Sequence, residues 1–107
     1  MGTSLKDLRY LLEVVLKCER DESRDHIRYS LIVNGRLVAR THYSHSMRGN
    51  SQIDDSMLSL HAKQMRCSKR TLKKLLSDQA SKEDYFKELL QGGHISQEEY
   101  NVLCGTQ

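Results

Sequence analysis

The chain has 107 residues, of which 37% are hydrophobic and 29% charged; it contains no proline and carries a formal net charge of +3. This length suits one small domain around a single core. No apolar run approaches the length of a membrane span, and the N-terminus lacks the pattern of a secretory signal, so we expect a cytoplasmic protein. The three cysteines have no CxxC spacing, which argues against a zinc knuckle or a redox motif, and we expect no cofactor.

The first predicted element is an amphipathic helix between Leu5 and Cys18. Leucine and valine recur there at the i, i+3, i+4 and i+7 positions, which place them on one helical face, and Ser4 can cap this helix. The polar segment from Glu19 to Asp25 is predicted to be a turn or loop that leads into the first strand.

Asn34-Gly35 predicts a hairpin, because this pair supplies the two positive-φ positions of a type I′ turn. In a regular register, Leu31 pairs with Val38 and Ile27 pairs with His42. Directly paired residues share a face, so this register assigns every side chain of the two strands to one side of the sheet.

One face of the predicted hairpin is more apolar than the other, and we expect it to pack on the core. His42 turns toward that face. His26, Arg28 and Tyr43 fall together on the opposite face, which solvent reaches. A further short strand is predicted around residues 43–47.

Helix signals occupy the rest of the chain. Asp54, Ser68 and Ser81 each precede an apolar-periodic run and are suited to cap a helix, and Gly92-Gly93 ends the last of these runs. A final short helix is predicted from Ser96 to Leu103. We therefore predict an α+β fold: an N-terminal helix, a β-hairpin that can extend to a three-stranded antiparallel sheet, and several short C-terminal helices. The N-terminal and second helices should pack on one face of the sheet.

His26 and Arg28 form the pair with the clearest chemical meaning. Cleaving RNA without a metal needs a proton acceptor for the 2′-hydroxyl, or a donor for the leaving oxygen, and a cation for the phosphate. Imidazole and guanidinium supply these groups at neutral pH. The alternative is that both are ordinary residues on a solvated strand face. His42 and His45 have a His-x-x-His spacing, but a strand places positions three apart on opposite faces, so we expect no metal site.

The segment from Leu60 to Leu76 allows a different function, a helix-turn-helix unit that binds DNA. Ala62 and Ser68 occupy the positions of the small packing residue and the cap of the second helix, although Arg66 stands where such a turn usually has glycine. The outward residues of the second helix would then face phosphates or base edges; they are Lys69, Arg70, Lys73 and Lys74. Two short helices joined by a serine-capped turn, with a solvated lysine-rich face, explain the same pattern.

Residues 5 to 76 resemble the HicA family of small bacterial and archaeal toxins in the order and spacing of their elements. In that family a helix precedes a strand that bears a histidine after a short polar loop, followed by a hairpin turn, a His-Ser pair and a helix with a serine-capped continuation. The matching segments here are Ser23-Arg24-Asp25-His26, Asn34-Gly35, His45-Ser46, residues 53–58, Lys63-Gln64 and Ser68.

This resemblance implies a fold like the double-stranded-RNA-binding domain, in a single domain whose residues 5–76 form the HicA-like core and whose residues 77–107 form a helical extension. It also implies a messenger-RNA ribonuclease that an antitoxin protein neutralises, or a non-catalytic relative that still binds RNA. His26 takes the place of the catalytic histidine. The predicted nucleic-acid-binding residues are Arg24, Arg28, Tyr43, His45, Lys63, Lys69, Arg70 and Lys73. Alternatives from other classes are a DNA-binding regulator and a module whose exposed strand edge or C-terminal helices dock a protein.

Overall fold

The computed structural model describes residues 3–44 and 51–105. A helix (α1, Leu5–Tyr10) continues as a π-helical turn over Leu11–Val15 and is followed by a sheet of three strands and four further helices. The strands of this sheet are β2 (Glu19–Glu22), β3 (His26–Val33) and β4 (Arg36–Ser44), and the later helices are α2 (Asp55–Gln64), α3 (Lys69–Leu76), α4 (Lys82–Gln91) and α5 (Gln97–Leu103). Two very short strands, β1 (Thr3–Ser4) and β5 (Gln52–Ile53), pair with each other. The predicted α+β fold is confirmed.

The helices cover one face of the antiparallel β2-β3-β4 sheet, and a single core joins them. The phenol of Tyr29 on β3 donates a hydrogen bond to Glu13 of the N-terminal helical segment. Tyr85 on α4 donates to the carbonyl of Met65 at the end of α2 over 2.8 Å. The core cluster therefore runs from the first helix to the last connection, and its most deeply buried members include Leu5, Leu8, Leu12, Tyr29, Leu31, Leu72, Tyr85, Phe86 and Leu89.

The helix boundaries follow the predicted caps. Asp54 accepts a hydrogen bond from the backbone of Met57, and Ser68 accepts one from Thr71. Ser81 and Ser96 begin α4 and α5 with reciprocal capping boxes, in which a carboxylate three residues later bonds back to the cap. These bonds satisfy amides that the first turn of a helix leaves without a partner.

The segment predicted as a loop contains a strand. Glu19–Glu22 pairs antiparallel with the stretch of β3 from Ile27 to Ser30. All four residues of this strand are exposed, so it has no apolar alternation to reveal it. It is an edge strand held by backbone hydrogen bonds, and charged side chains are typical of such edges.

The register of the hairpin also differs from the prediction. The turn itself is as expected, with φ values of 51° at Asn34 and 78° at Gly35. Beyond it, Ile32 pairs with Leu37 but Leu31 pairs with Ala39, so Val38 is an extra, bulged residue. Val38 and Ala39 are both buried. A bulge lets two consecutive apolar residues reach the core, and it reverses the face of every residue that follows.

Two predictions about faces are therefore wrong. His42 was expected on the core side but pairs with Arg28 on the solvent side, whereas Tyr43 pairs with Ile27 and is only 4% exposed. The predicted strand over residues 43–47 coincides with β4 as far as Ser44. Its remainder lies outside the described residues.

Candidate nucleic-acid interface and active site

The outer face of the sheet, which the helices leave open, gathers four basic side chains near one end. Arg28 and Arg40 lie on neighbouring strands, and the two strands add His26 and His42 to the same face. We call these four residues the sheet-face cluster. With Ser23 they line an open depression of about 280 Å³.

The two imidazoles of the cluster are in contact. The ring centroids of His26 and His42 are 5.0 Å apart, and the rings meet edge to face at 87°. His26 begins β3 and is exposed, whereas His42 lies within β4 and is half-buried. Two imidazoles this close offer one proton acceptor and one proton donor to the same bound group.

A short turn fixes the backbone of His26. The Ser23 amide donates to the carbonyl of His26 over 2.8 Å, and the Ser23 hydroxyl lies 3.1 Å from the same carbonyl. The His26 amide in turn donates to the Ser23 hydroxyl over 3.3 Å. This exchange closes the connection between β2 and β3 and sets the point at which β3 enters the sheet.

The two guanidinium groups have different partners. Arg28 forms an ion pair with Asp21 on β2 at 3.5 Å, and its Nε is a buried donor that has no hydrogen-bond partner within the described ranges. Arg40 Nε donates to the Ser30 hydroxyl over 3.2 Å. Most of the donor capacity of the two groups is thus uncommitted to carboxylates, and planar guanidinium forks match the oxygens of a phosphate.

A buried polar network lies beneath this face. The Thr41 hydroxyl lies 2.6 Å from Gln64 Oε1 and 2.7 Å from His61 Nδ1. The hydroxyl has one proton, so it donates to the amide oxygen and accepts from the imidazole N–H, which leaves His61 Nε2 as a buried acceptor with no partner among the described residues. Burial lowers the pKa of His61, and the neighbouring charge of His42 lowers this pKa further.

Tyr43 belongs to the core and not to the nucleic-acid-binding face for which it was predicted. Its hydroxyl lies 3.4 Å from that of Tyr29, which also donates to Glu13. Burial is the main reason that the pKa of Tyr29 is raised. The bulge at Val38 explains the error, because it moves Tyr43 inward and His42 outward.

The other predicted binding residues are dispersed. Arg24 is exposed in the turn before β3, and Lys63 is exposed on α2. His45 lies outside the described residues. The sequence pattern did not indicate Arg40 and His42 as members of the site. The adjacent apolar residues Val38 and Ala39 interrupt the alternation of the strand, and both are buried at the bulge that brings Arg40 and His42 there.

Two lysines of the basic face of α3 share one carboxylate. Asp55, the first residue of α2, contacts Lys69 at 2.5 Å and Lys73 at 3.1 Å, and these lysines lower the pKa of Asp55. Arg70 is exposed. The turn before α3 has the left-handed residue that a helix-turn-helix unit needs, since Arg66 has a φ of 61°.

Within residues 3–44 and 51–105, no three His, Cys, Asp or Glu side chains converge as a metal site would require. In the same ranges no helix is long and apolar enough to cross a membrane. Comparison of the chain with protein-family models, with curated proteins and with solved structures gives no match.

Proposed function

We propose that this protein acts on RNA, and that the sheet-face cluster cleaves the RNA backbone without a metal ion. The observation that carries the proposal is the contact between His26 and His42 in a depression that also contains Arg28 and Arg40. This cleavage requires a general acid, a general base and cationic groups that bind the phosphate. Side chains of the cluster supply all of them.

The reaction divides two proton transfers between the two imidazoles. One neutral imidazole takes the proton of a ribose 2′-hydroxyl, and the oxygen attacks the adjacent phosphorus. The bond between phosphorus and the 5′-oxygen breaks, and the second imidazole, which starts protonated, gives its proton to that leaving oxygen. The products are a 2′,3′-cyclic phosphate and a 5′-hydroxyl end, and the proton count of the pair is unchanged. Arg28 and Arg40 stabilise the charge on the phosphoryl oxygens.

The HicA resemblance supports the same function independently of the bulge. It implies a catalytic role for His26, and the order of α1, three antiparallel strands and α2 suits the double-stranded-RNA-binding type of fold that it implies. On this proposal the protein is a cytoplasmic ribonuclease toxin whose partner is an antitoxin protein. A relative that binds RNA but has lost the chemistry is the closest variant of this function.

The test is cleavage of a single-stranded RNA in the presence of a chelator. We expect cyclic phosphate ends, no cleavage at a 2′-deoxy position, and a rate lowered at least ~100-fold by His26→Ala or His42→Ala, the range expected for loss of a general acid or base. His94→Ala, in the connection between α4 and α5, is the matched control and should keep full activity.

Three results decide the proposal. Activity that disappears with the chelator contradicts the metal-independent reaction, and full cleavage in the double histidine variant removes the cluster from the mechanism. RNA binding without cleavage, weakened by Arg40→Gln, would restrict the function to RNA binding.

A second candidate is a DNA-binding regulator that uses α2 and α3. The observation in its favour is the left-handed Arg66 between two capped helices. The ion pairs of Asp55 with Lys69 and Lys73 reduce the charge that this surface offers to DNA.

A further inference from the structure

The placement of His42 depends on the bulge at Val38. With a regular register His42 would pair with Ile27 and point to the core, whereas it pairs with Arg28 on the outer face. The same reversal applies to residues 39–44 as a group. The cluster exists only while β4 keeps this shifted register.

Two sets of contacts fasten the shifted part of β4 to α2 and to the turn after it. Arg66 Nε donates over 3.1 Å to the carbonyl of Val38, the bulged residue itself. Farther along β4, the Thr41 hydroxyl contacts His61 Nδ1 at 2.7 Å and Gln64 Oε1 at 2.6 Å. One anchor is therefore at the bulge, and the other is directly beside the site.

The contacts of Thr41 are specific to the shifted register. In a regular hairpin Thr41 would pair with Arg28 and face solvent, and the polar atoms of His61 and Gln64 would lose their partner in the interior. In the structure Thr41 is 0% exposed and His61 is 1% exposed. A buried polar group without a partner is unfavourable, so α2 selects the register that supplies Thr41.

Arg66 keeps its contact at a conformational cost. Its φ of 61° is left-handed, a region that only glycine adopts freely. Glycine there would relieve the backbone but would remove the guanidinium that binds Val38. The strained residue is thus the one whose side chain reaches the bulge.

We propose that Arg66, His61 and Gln64 are positioning residues, which hold β4 in its shifted register and so keep His42 beside His26. The catalytic meaning of this arrangement rests on the ribonuclease function proposed above. The geometric statement does not, and it can be tested without RNA.

The experiment measures the contact between the two imidazoles directly. In isotope-labelled protein, ring protons of His26 and His42 should give a nuclear Overhauser cross-peak, and inorganic phosphate should shift both rings. Arg66→Met removes the guanidinium but keeps a residue other than glycine at the left-handed φ. We expect this variant to lose at least half of the intensity of the cross-peak and at least half of the phosphate-induced shift at His42. Arg66→Lys, which keeps a donor, should recover part of both.

Arg70→Met is the matched control, because this exposed arginine lies four residues away on α3 and should leave both signals unchanged. Thr41→Val is a second variant that removes the other anchor, and it should weaken the same cross-peak. A merely stabilising role predicts a lower melting temperature with an undiminished cross-peak in the folded protein. That result in the folded variants overturns the proposal.

The two proposals fail in different ways. If the wild-type protein shows the cross-peak and Arg66→Met loses it, the positioning role stands even when no RNA is cleaved. If RNA is cleaved and Arg66→Met keeps both the cross-peak and the rate, only the positioning role is wrong.

Discussion

The sheet-face cluster and the outer face of α3 are both rich in basic side chains, but they differ in what those side chains contact. On α3, Lys69 and Lys73 share the carboxylate of Asp55. On the sheet, Arg40 bonds a neutral hydroxyl and Arg28 has one ion pair at 3.5 Å. The two faces therefore differ in how their cations are partnered: two lysines of α3 share one carboxylate, whereas Arg40 on the sheet bonds a hydroxyl.

The chemical groups differ as well. Lysine and arginine on α3 supply positive charge and hydrogen-bond donors but no acceptor. The sheet face adds two imidazoles in contact, and imidazole exchanges protons near neutral pH. A cationic surface is suited to bind a nucleic acid, whereas a cationic surface with paired imidazoles is also suited to cleave one. This difference leads us to place the function on the sheet.

Among substitutions of charged side chains around the two faces, the largest change should follow from freeing Arg28. Asp21 holds it in an exposed ion pair and also repels an incoming phosphate. We expect Asp21→Asn to tighten binding of inorganic phosphate, measured by calorimetry, by about 1.4-fold to fivefold, which corresponds to the ~0.2–1 kcal/mol typical of exposed pairs. Glu22→Gln is the control, because the neighbouring Glu22 contacts Arg20. Equal affinities in wild type and Asp21→Asn would mean that phosphate does not bind at Arg28.

A smaller effect, on stability, should appear when the pH is lowered, and it comes from the buried His61 beneath the sheet face. Its pKa is lowered by burial and then by the charge of His42, so the unfolded chain takes up a proton that the folded protein does not. Stability from this group is complete above its ordinary pKa of about 6.5 and declines as the pH falls below it. We expect the melting temperature of the wild-type protein to fall as the pH is lowered through that window, and the melting temperature of His61→Gln to fall less steeply. An equal dependence of melting temperature on pH in the two proteins would contradict this.

Much of the fold was predictable because its signals are local. The predicted caps Ser4, Asp54, Ser68 and Ser81 each precede a helix, because the side-chain oxygen of the cap, or of a carboxylate three residues later, bonds a backbone amide at the helix start. The helix predicted from Ser96 begins there as well. The type I′ turn was predictable for the same reason. The strand β2 was not, because its charged residues carry no apolar alternation and its pairing comes from backbone hydrogen bonds.

The candidate site was only half predictable. His26 and Arg28 precede the turn on β3 and keep the faces that simple alternation assigns to them. Arg40 and His42 lie beyond the bulge, and their faces depend on whether Val38 and Ala39 both enter the core. That choice is made by tertiary contacts, such as the one from Arg66 to the bulge, which a strand pattern does not contain.

The smallest effect on RNA cleavage should come from substitutions on α3. A large effect there would contradict the assignment of the function to the sheet face. Replacing Lys69, Arg70 and Lys73 together by glutamine removes the charge of that face but touches none of the sheet-face cluster. We expect RNA cleavage to change by less than about twofold, because these lysines are already paired with Asp55 and exposed ion pairs contribute little. The charge-matched control variant replaces three exposed lysines elsewhere, Lys6, Lys17 and Lys87. The opposite result is that the α3 variant loses affinity for duplex DNA, with a salt dependence reduced by about two to three phosphate contacts, and that the control variant does not. In that case α3 is a DNA-binding helix, and the regulator function is favoured.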